Sequence, residues 1–242
     1  MANPPPSNAL IGAAFSPNFS GANIFESRCR VRHNESKRSR REMRDADVRG
    51  AVRRRLAADY RGDNATRIVE EMGVWSSSVR IDIAIINGEL AGIELKSDRD
   101  TLGRLPLQAD LYSRVFDRVE LVAGARHVQK AMSFVPDWWK ITVATMTQGR
   151  VELADARPGS ANPAPDPYLV AQLLWKNEAI EVLDSFGLAA GWRSKRIMLL
   201  HQRMAVELPF AVLSNSVKLA LKRRNEGWLR KPVRNEAQMP ID

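Results

Sequence analysis

Asp82, Glu94 and Lys96 interrupt two apolar runs in residues 80–100, RIDIAIINGELAGIELKSDRD. Ionised side chains are costly to bury unless they are paired or bound, so these three need partners. Two carboxylates and an ammonium held together suit three kinds of chemistry. One is an inert ion-pair network. Another is proton transfer between paired carboxylates, as in glycoside hydrolysis. The third is a divalent metal site, in which carboxylate oxygens suit Mg²⁺ and a lysine orients or deprotonates water.

The elements that carry these residues follow from periodicity. Side chains on a strand alternate between faces. In IDIAII the odd positions Ile81, Ile83 and Ile85 make one apolar face, and in ELAGIELK the odd positions Ala91, Ile93 and Leu95 do the same. The even positions collect Asp82, Ala84, Gly92, Glu94 and Lys96. Asn87-Gly88 between the runs is a hairpin signal. A strict two-residue turn would place Asp82 and Glu94 on opposite faces. The burial pattern therefore predicts an odd-length loop or bulge, with Gly88 in a left-handed conformation.

Around this hairpin, residues 35–60 are strongly basic. A helix is expected there, capped by Asp45 or Asp47, with Val48, Val52 and Leu56 inward and Arg49, Arg53 and Arg54 outward. NATRIVEEMGV reads as a second helical piece. After the hairpin, residues 105–118 read as a helix with Pro106 in its first turn. VELVAG is a buried strand, HVQKAMSFV a helix, KITVATMT a strand, and RVELADARPG an edge strand. The pattern predicts an α/β fold, a mixed sheet covered by helices. Residues 1–34 read as a disordered arm, 35–159 as the core and 160–167, SANPAPDP, as a linker. Residues 168–242 read as a helical, basic C-terminal extension, in which a helix–turn–helix that binds nucleic acid competes with simple packing on the core.

Composition narrows the partners. The 242 residues carry a formal net charge of +9, dominated by arginine, which favours a polyanion, nucleic acid before membrane. Cys29 is the sole cysteine, and His33, His127 and His201 are dispersed, which argues against a cysteine-based or local histidine zinc site. No apolar run is long enough for a membrane helix, and no secretory signal opens the chain. Cytoplasmic residence is expected.

Asp82 followed twelve positions later by Glu94-Leu95-Lys96 resembles the core motif of the PD-(D/E)XK nuclease superfamily, with its restriction-endonuclease-like fold. Ile81 stands where the motif's name has proline. Gln108 and Tyr112, four apart on one helix face, resemble the superfamily's following helix. The stretch IELKSDRDTLGRLPLQADLYSRVFDRVELV is similar to a group of bacterial and phage proteins assigned to it. The resemblance covers about residues 48–143 and implies a metal-dependent nuclease, acting on DNA in preference to RNA. By that resemblance Asp82 and Glu94, helped by the Leu95 carbonyl, hold Mg²⁺ or Mn²⁺. Glu71, preferred to Glu70, adds a ligand, directly or through water. Lys96 positions water and stabilises charge on phosphate, and Gln108 steadies the lysine or the substrate. Nucleic-acid contacts are expected at Tyr112, Arg53, Arg54, Arg104, Lys195 and Arg196, with a homodimer to cut both strands. The competing reading is a non-catalytic nucleic-acid-binding or assembly protein that keeps the fold.

Other residues invite blander readings. Asp98 and Asp100 read as caps or as partners of Arg99 and Arg104. Trp138-Trp139 can stack on bases but suit a core. His127 reads as structural, and Trp175, Trp192 and Trp228 as packing anchors of the tail.

Overall fold

The computed structural model describes residues 42–74 and 79–225. The expected N-terminal arm, Cys29, His33 and Trp228 lie outside the described residues. The helix expected in the basic region is α1, Asp45–Asp59, and it buries Val48, Ala51, Val52 and Leu56. Asp47 caps it by accepting the Arg44 N–H at 3.0 Å.

Next come strands β1 (Arg67–Val74), β2 (Val79–Asn87) and β3 (Glu89–Lys96), then helix α2 (Leu105–Ser113) and strand β4 (Arg118–Gly124). Helix α3 (Ala125–Ala131) leads to β5 (Lys140–Thr147) and β6 (Arg150–Arg157). The six strands form one sheet in sequence order. Strands β3, β4 and β5 run parallel, and the other neighbours are antiparallel.

One expectation is corrected here. NATRIVEEMGV is not helical: Arg67–Val74 is β1, paired with β2 from Arg67 opposite Ile86 to Val74 opposite Val79. Its apolar residues Ile68, Val69, Met72 and Val74 fit both periods over so short a run, and pairing with β2 decides between them.

The hairpin has the odd-length connection that the burial pattern requires. Ile83 stands opposite Ile93, Ala84 opposite Gly92 and Ile86 opposite Leu90. Gly88, in the middle of the connection, has φ +67°, a conformation that costs glycine little. Ile83, Ile85, Ile93 and Leu95 form the α1-side core with Val48, Val52 and Leu56. Ile81 does not join them as expected. It belongs to the core on the other face, with Ala84, Ile86, Tyr112 and Phe116, so alternation breaks between Ile81 and Ile83. A Cβ on Gly92 would lie 3.2 Å from the Phe116 ring and 3.3 Å from Ile81 Cδ1. The missing side chain lets those two pack across the hairpin.

Helices α4 (Pro167–Ala171), α5 (Lys176–Ser185), α6 (Ile197–Glu207) and α7 (Phe210–Arg223) complete the described chain. The helix expected across 169–188 is broken into α4 and α5. Leu169, Leu174, Leu183, Leu200, Leu213 and Leu221 share one core cluster with residues of β2, β4 and α2. The tail is therefore part of the same hydrophobic core. Nor is the proline-rich stretch a free linker. Asn162 Nδ2 donates to the Ser113 carbonyl at 2.6 Å and the Phe116 carbonyl at 2.8 Å. The Asp166 N–H donates to the Arg114 carbonyl at 2.8 Å. Among the described residues, no helix is long and apolar enough to cross a membrane.

Candidate functional site

The site forms where β2 and β3 part. Their last paired residues are Ile83 and Ile93. Just beyond, Asp82 Oδ2 accepts the Leu95 N–H at 2.8 Å, so a side chain satisfies a backbone donor at the end of the ladder. Glu94 and Lys96 follow on β3 and are 2% and 6% exposed. Both are held within the body of the protein.

Helix α2 supplies the partners that burial of Glu94 demands. Lys96 Nζ donates to Glu94 Oε1 at 2.5 Å, and Gln108 Nε2 donates to the same oxygen at 2.7 Å. Tyr112 Oη lies 3.1 Å from Glu94 Oε2 and 2.6 Å from the Arg80 carbonyl. Spaced one helical turn apart, Gln108 and Tyr112 grip the carboxylate together. Burial, reinforced by the nearby Asp82 charge, pushes the Glu94 carboxyl up to about 7, although Lys96 pulls the other way. Burial and the Glu94 charge raise the Tyr112 phenol, which stays neutral and able to donate.

Because Gln108 must turn its amide N–H₂ toward the Glu94 carboxylate, its Oε1 faces elsewhere. That oxygen is buried and has no hydrogen-bond partner among the described residues. A buried acceptor in that state calls for a donor, such as water.

The other half of the site is ionic. Arg49 of α1 reaches Asp82 Oδ1 at 2.6 Å, Glu71 Oε1 at 3.2 Å and Asp45 Oδ2 at 3.1 Å. Burial opposes its charge, but hydrogen bonds to Asp45 and Asp82 raise its already high pKa. Glu71 has φ +54°, rare for a non-glycine residue, at the point where β1 and β2 leave regular alternation. Glu70 is drawn to Arg53, at 2.6 and 2.5 Å, and that arginine holds its carboxyl below the usual range.

Of the residues expected to act together, Glu94, Lys96, Gln108 and Tyr112 are in direct contact, and Asp82 joins them through the Leu95 N–H. Glu71 meets Arg49 instead. Tyr112 is not placed to touch nucleic acid: it is fully buried, so its work is to hold Glu94. Arg53 is committed to Glu70, while Arg54, Arg104, Lys195 and Arg196 are exposed. Leu95 buries its side chain.

Sequence reasoning missed Arg49 by assigning it to an outer face. The signal was the run Asp45, Arg49, Arg53 at helical spacing, which gives α1 a charged edge to set against an acidic pair. Asp98 and Asp100 cap neither α1 nor α2 and instead accept backbone N–H groups. Asp98 Oδ2 accepts the Met43 N–H at 3.1 Å, and Asp100 Oδ2 accepts from Ser97 N at 2.7 Å. Arg99 pairs with Glu42, at 3.4 Å, and not with either aspartate. Trp139 is fully buried and donates to Ser113 Oγ at 3.1 Å, in keeping with packing.

The fit to a divalent cation rests on the donors. Among the described residues, no group of three or more His, Cys, Asp or Glu side chains is arranged to hold a metal. The set that fits is smaller: Asp82 and Glu94, hard oxygen donors, with the Asp82 charge close enough to help raise the Glu94 carboxyl. Mg²⁺ keeps several waters and needs only one or two carboxylates alongside a substrate's phosphates. The unpartnered Gln108 oxygen beside Glu94 suits such a hydrated ion.

Comparison with known proteins gives three results. The SPO1766 protein of unknown function from Silicibacter pomeroyi overlaps at a TM-score of 0.37, with 18% identity, over 62% of this chain and 96% of its own. At that score nothing about fold or chemistry is transferred. Protein cII of Enterobacteria phage P4 is 26% identical over 121 residues, 50% of this chain. The match spans 46% of that phage protein, less than half its length. The model of the family described as Bacteriophage P4 protein cII matches residues 38–239, and the chain belongs to that family.

Proposed function

We propose that the protein is a metal-dependent nuclease that hydrolyses phosphodiester bonds, in DNA in preference to RNA, on a restriction-endonuclease-like fold. The observation that carries this reading is the meeting of Glu94, Lys96 and Gln108 around one buried carboxylate beside Asp82. The order α1, three antiparallel strands, α2, then β4 parallel to β3 supports the fold assignment.

Asp82 and Glu94, with the Leu95 carbonyl, would hold Mg²⁺ or Mn²⁺, which when bound supplies Lewis-acid polarisation of phosphate and water. The chain's own groups do the rest. Tyr112 and Gln108 hold the Glu94 carboxylate in one orientation. Lys96 has three N–H donors; one meets Glu94, and the others can face a phosphate oxygen or orient the attacking water. Gln108 Oε1 offers that water an acceptor. The basic charge of +9 draws a polyanion to the site. The reading places the protein in the cytoplasm, where a homodimer would cut both strands.

The test is incubation of the full chain with supercoiled, linear and single-stranded DNA and with RNA, plus Mg²⁺ or Mn²⁺. Metal-dependent cutting should fall about a thousandfold or more in Asp82→Ala and Glu94→Ala, since such sites depend on electrostatic stabilisation. Cutting that survives in both variants and in Lys96→Ala would reject the site.

A second reading, a nucleic-acid-binding or assembly protein without catalysis, is favoured by the pairing of Asp82 with Arg49 and of Lys96 with Glu94. It predicts salt-sensitive DNA binding that the triple alanine variant retains, with no cleavage in the wild type.

A further inference from the structure

Arg49 is the cation of the site's outer half, and the way it is held differs from two arginine pairs elsewhere in the fold. Arg55 grips Glu120 with two bonds of 2.7 Å, and Arg224 grips Glu178 with bonds of 2.7 and 2.6 Å. These are fork-on-carboxylate pairs of the kind that fix a structure. Arg49 makes its fork-like contact only with Asp45 on its own helix, at 3.1 and 3.4 Å. Across to the strands its close carboxylate contacts come from one nitrogen, Nη2, shared between Asp82 at 2.6 Å and Glu71 at 3.2 Å. Nη1 makes only longer contacts, with the Asp82 carbonyl at 3.4 Å and Glu70 at 3.9 Å.

Three elements thus direct carboxylates at one positive centre. Glu71 does so from the left-handed conformation that removes it from the β1–β2 ladder, a backbone cost that neighbouring structure must offset. Among the described residues, Asp45 and Asp82 meet no cation other than Arg49. Glu71 has only the more distant Arg80, at 3.8 Å.

We propose that Arg49 is a resident counter-ion, occupying the divalent-cation position beside Asp82 in the free protein and displaced when the cation binds. The inference rests on the nuclease reading of the same site. Asp45 makes the exchange feasible. It holds the Nε edge of the guanidinium from the preceding turn of α1, so the tip can leave Asp82 and Glu71 while the side chain remains anchored. The freed guanidinium then faces the site's mouth as a phosphate ligand, a role for which its planar fork is suited.

The experiment is Mn²⁺ binding to the full chain, measured by electron paramagnetic resonance of the free ion and by calorimetry, without nucleic acid. Arg49→Met keeps the length of the side chain and removes the charge. It should bind Mn²⁺ about tenfold or more tightly than wild type, because a competing positive charge at contact distance is gone. In wild type, adding Mg²⁺ should shift the Arg49 Nε–H resonance as the tip leaves Asp82. Wild-type binding as tight as, or tighter than, that of Arg49→Met overturns this inference and leaves the nuclease reading standing. Mn²⁺ binding by neither protein overturns both. Should Arg49→Met fail to fold, Arg49→Lys retains the charge on a shorter reach. It should bind at least severalfold more tightly than wild type, and equal affinity overturns the proposal.

Discussion

The two halves of the candidate site solve the problem of holding charge in opposite ways. On the α2 side, Glu94 is buried and gripped by Lys96, Gln108 and Tyr112. On the α1 side, Asp82, Glu70 and Glu71 are partly open to solvent and held by arginines. A buried charge depends on a complete set of partners, because each missing one leaves an unsolvated group behind. An open cluster tolerates loss, since water and salt replace a missing partner. The buried half should therefore set stability, and the open half should be free to exchange its cations.

The largest contrast is expected from Lys96→Met. It leaves Glu94 in the interior without its ammonium, and at pH 8 should lower the unfolding free energy by about 3 kcal/mol or more. Urea denaturation measures this; a loss below about 1 kcal/mol would mean that Glu94 is better solvated than the structure indicates.

Next in size is a pH effect. Because burial lifts the Glu94 carboxyl from 4.5 to about 7, the folded protein binds its proton more tightly than the unfolded chain does. Ionisation therefore opposes folding. The stability contributed by the protonated acid is complete below pH 4.5 and declines as pH rises through 7, by about 1 to 3 kcal/mol in all. Glu94→Gln should lose that decline. A wild-type profile rising across the same window would break the comparison.

The smallest effect belongs to the open half. Arg53→Ala, which removes the exposed partner of Glu70, should cost about 1 kcal/mol or less, and the difference should shrink in high salt. A salt-insensitive loss as large as that of Lys96→Met would erase the distinction between the halves.

What could be read in advance follows the same division. The inner half was legible because it lies on local periodicities: period two along β2 and β3, and a four-residue step from Gln108 to Tyr112. Even the parity of the hairpin connection followed, since the wrong parity would bury a carboxylate against isoleucines. The outer half was not legible. Glu70 and Glu71 looked helical in a run too short to separate the two periods. Arg49 looked like a solvated residue because its partners lie on strands that only folding brings to α1. Tyr112 was assigned to a nucleic-acid surface for want of any local sign that its ring is sealed beneath Glu94 and Trp139.

By itself the sequence determined the α/β character, the hairpin's register and the grouping of Glu94 and Lys96 with α2. These depend on which face each residue presents along its own element. Tertiary structure alone decided that residues 160–167 are pinned to α2, that the C-terminal helices complete the core, and that an arginine stands beside Asp82. Those outcomes depend on hydrogen bonds and charge pairs between segments far apart in the chain, and no period in the sequence encodes them.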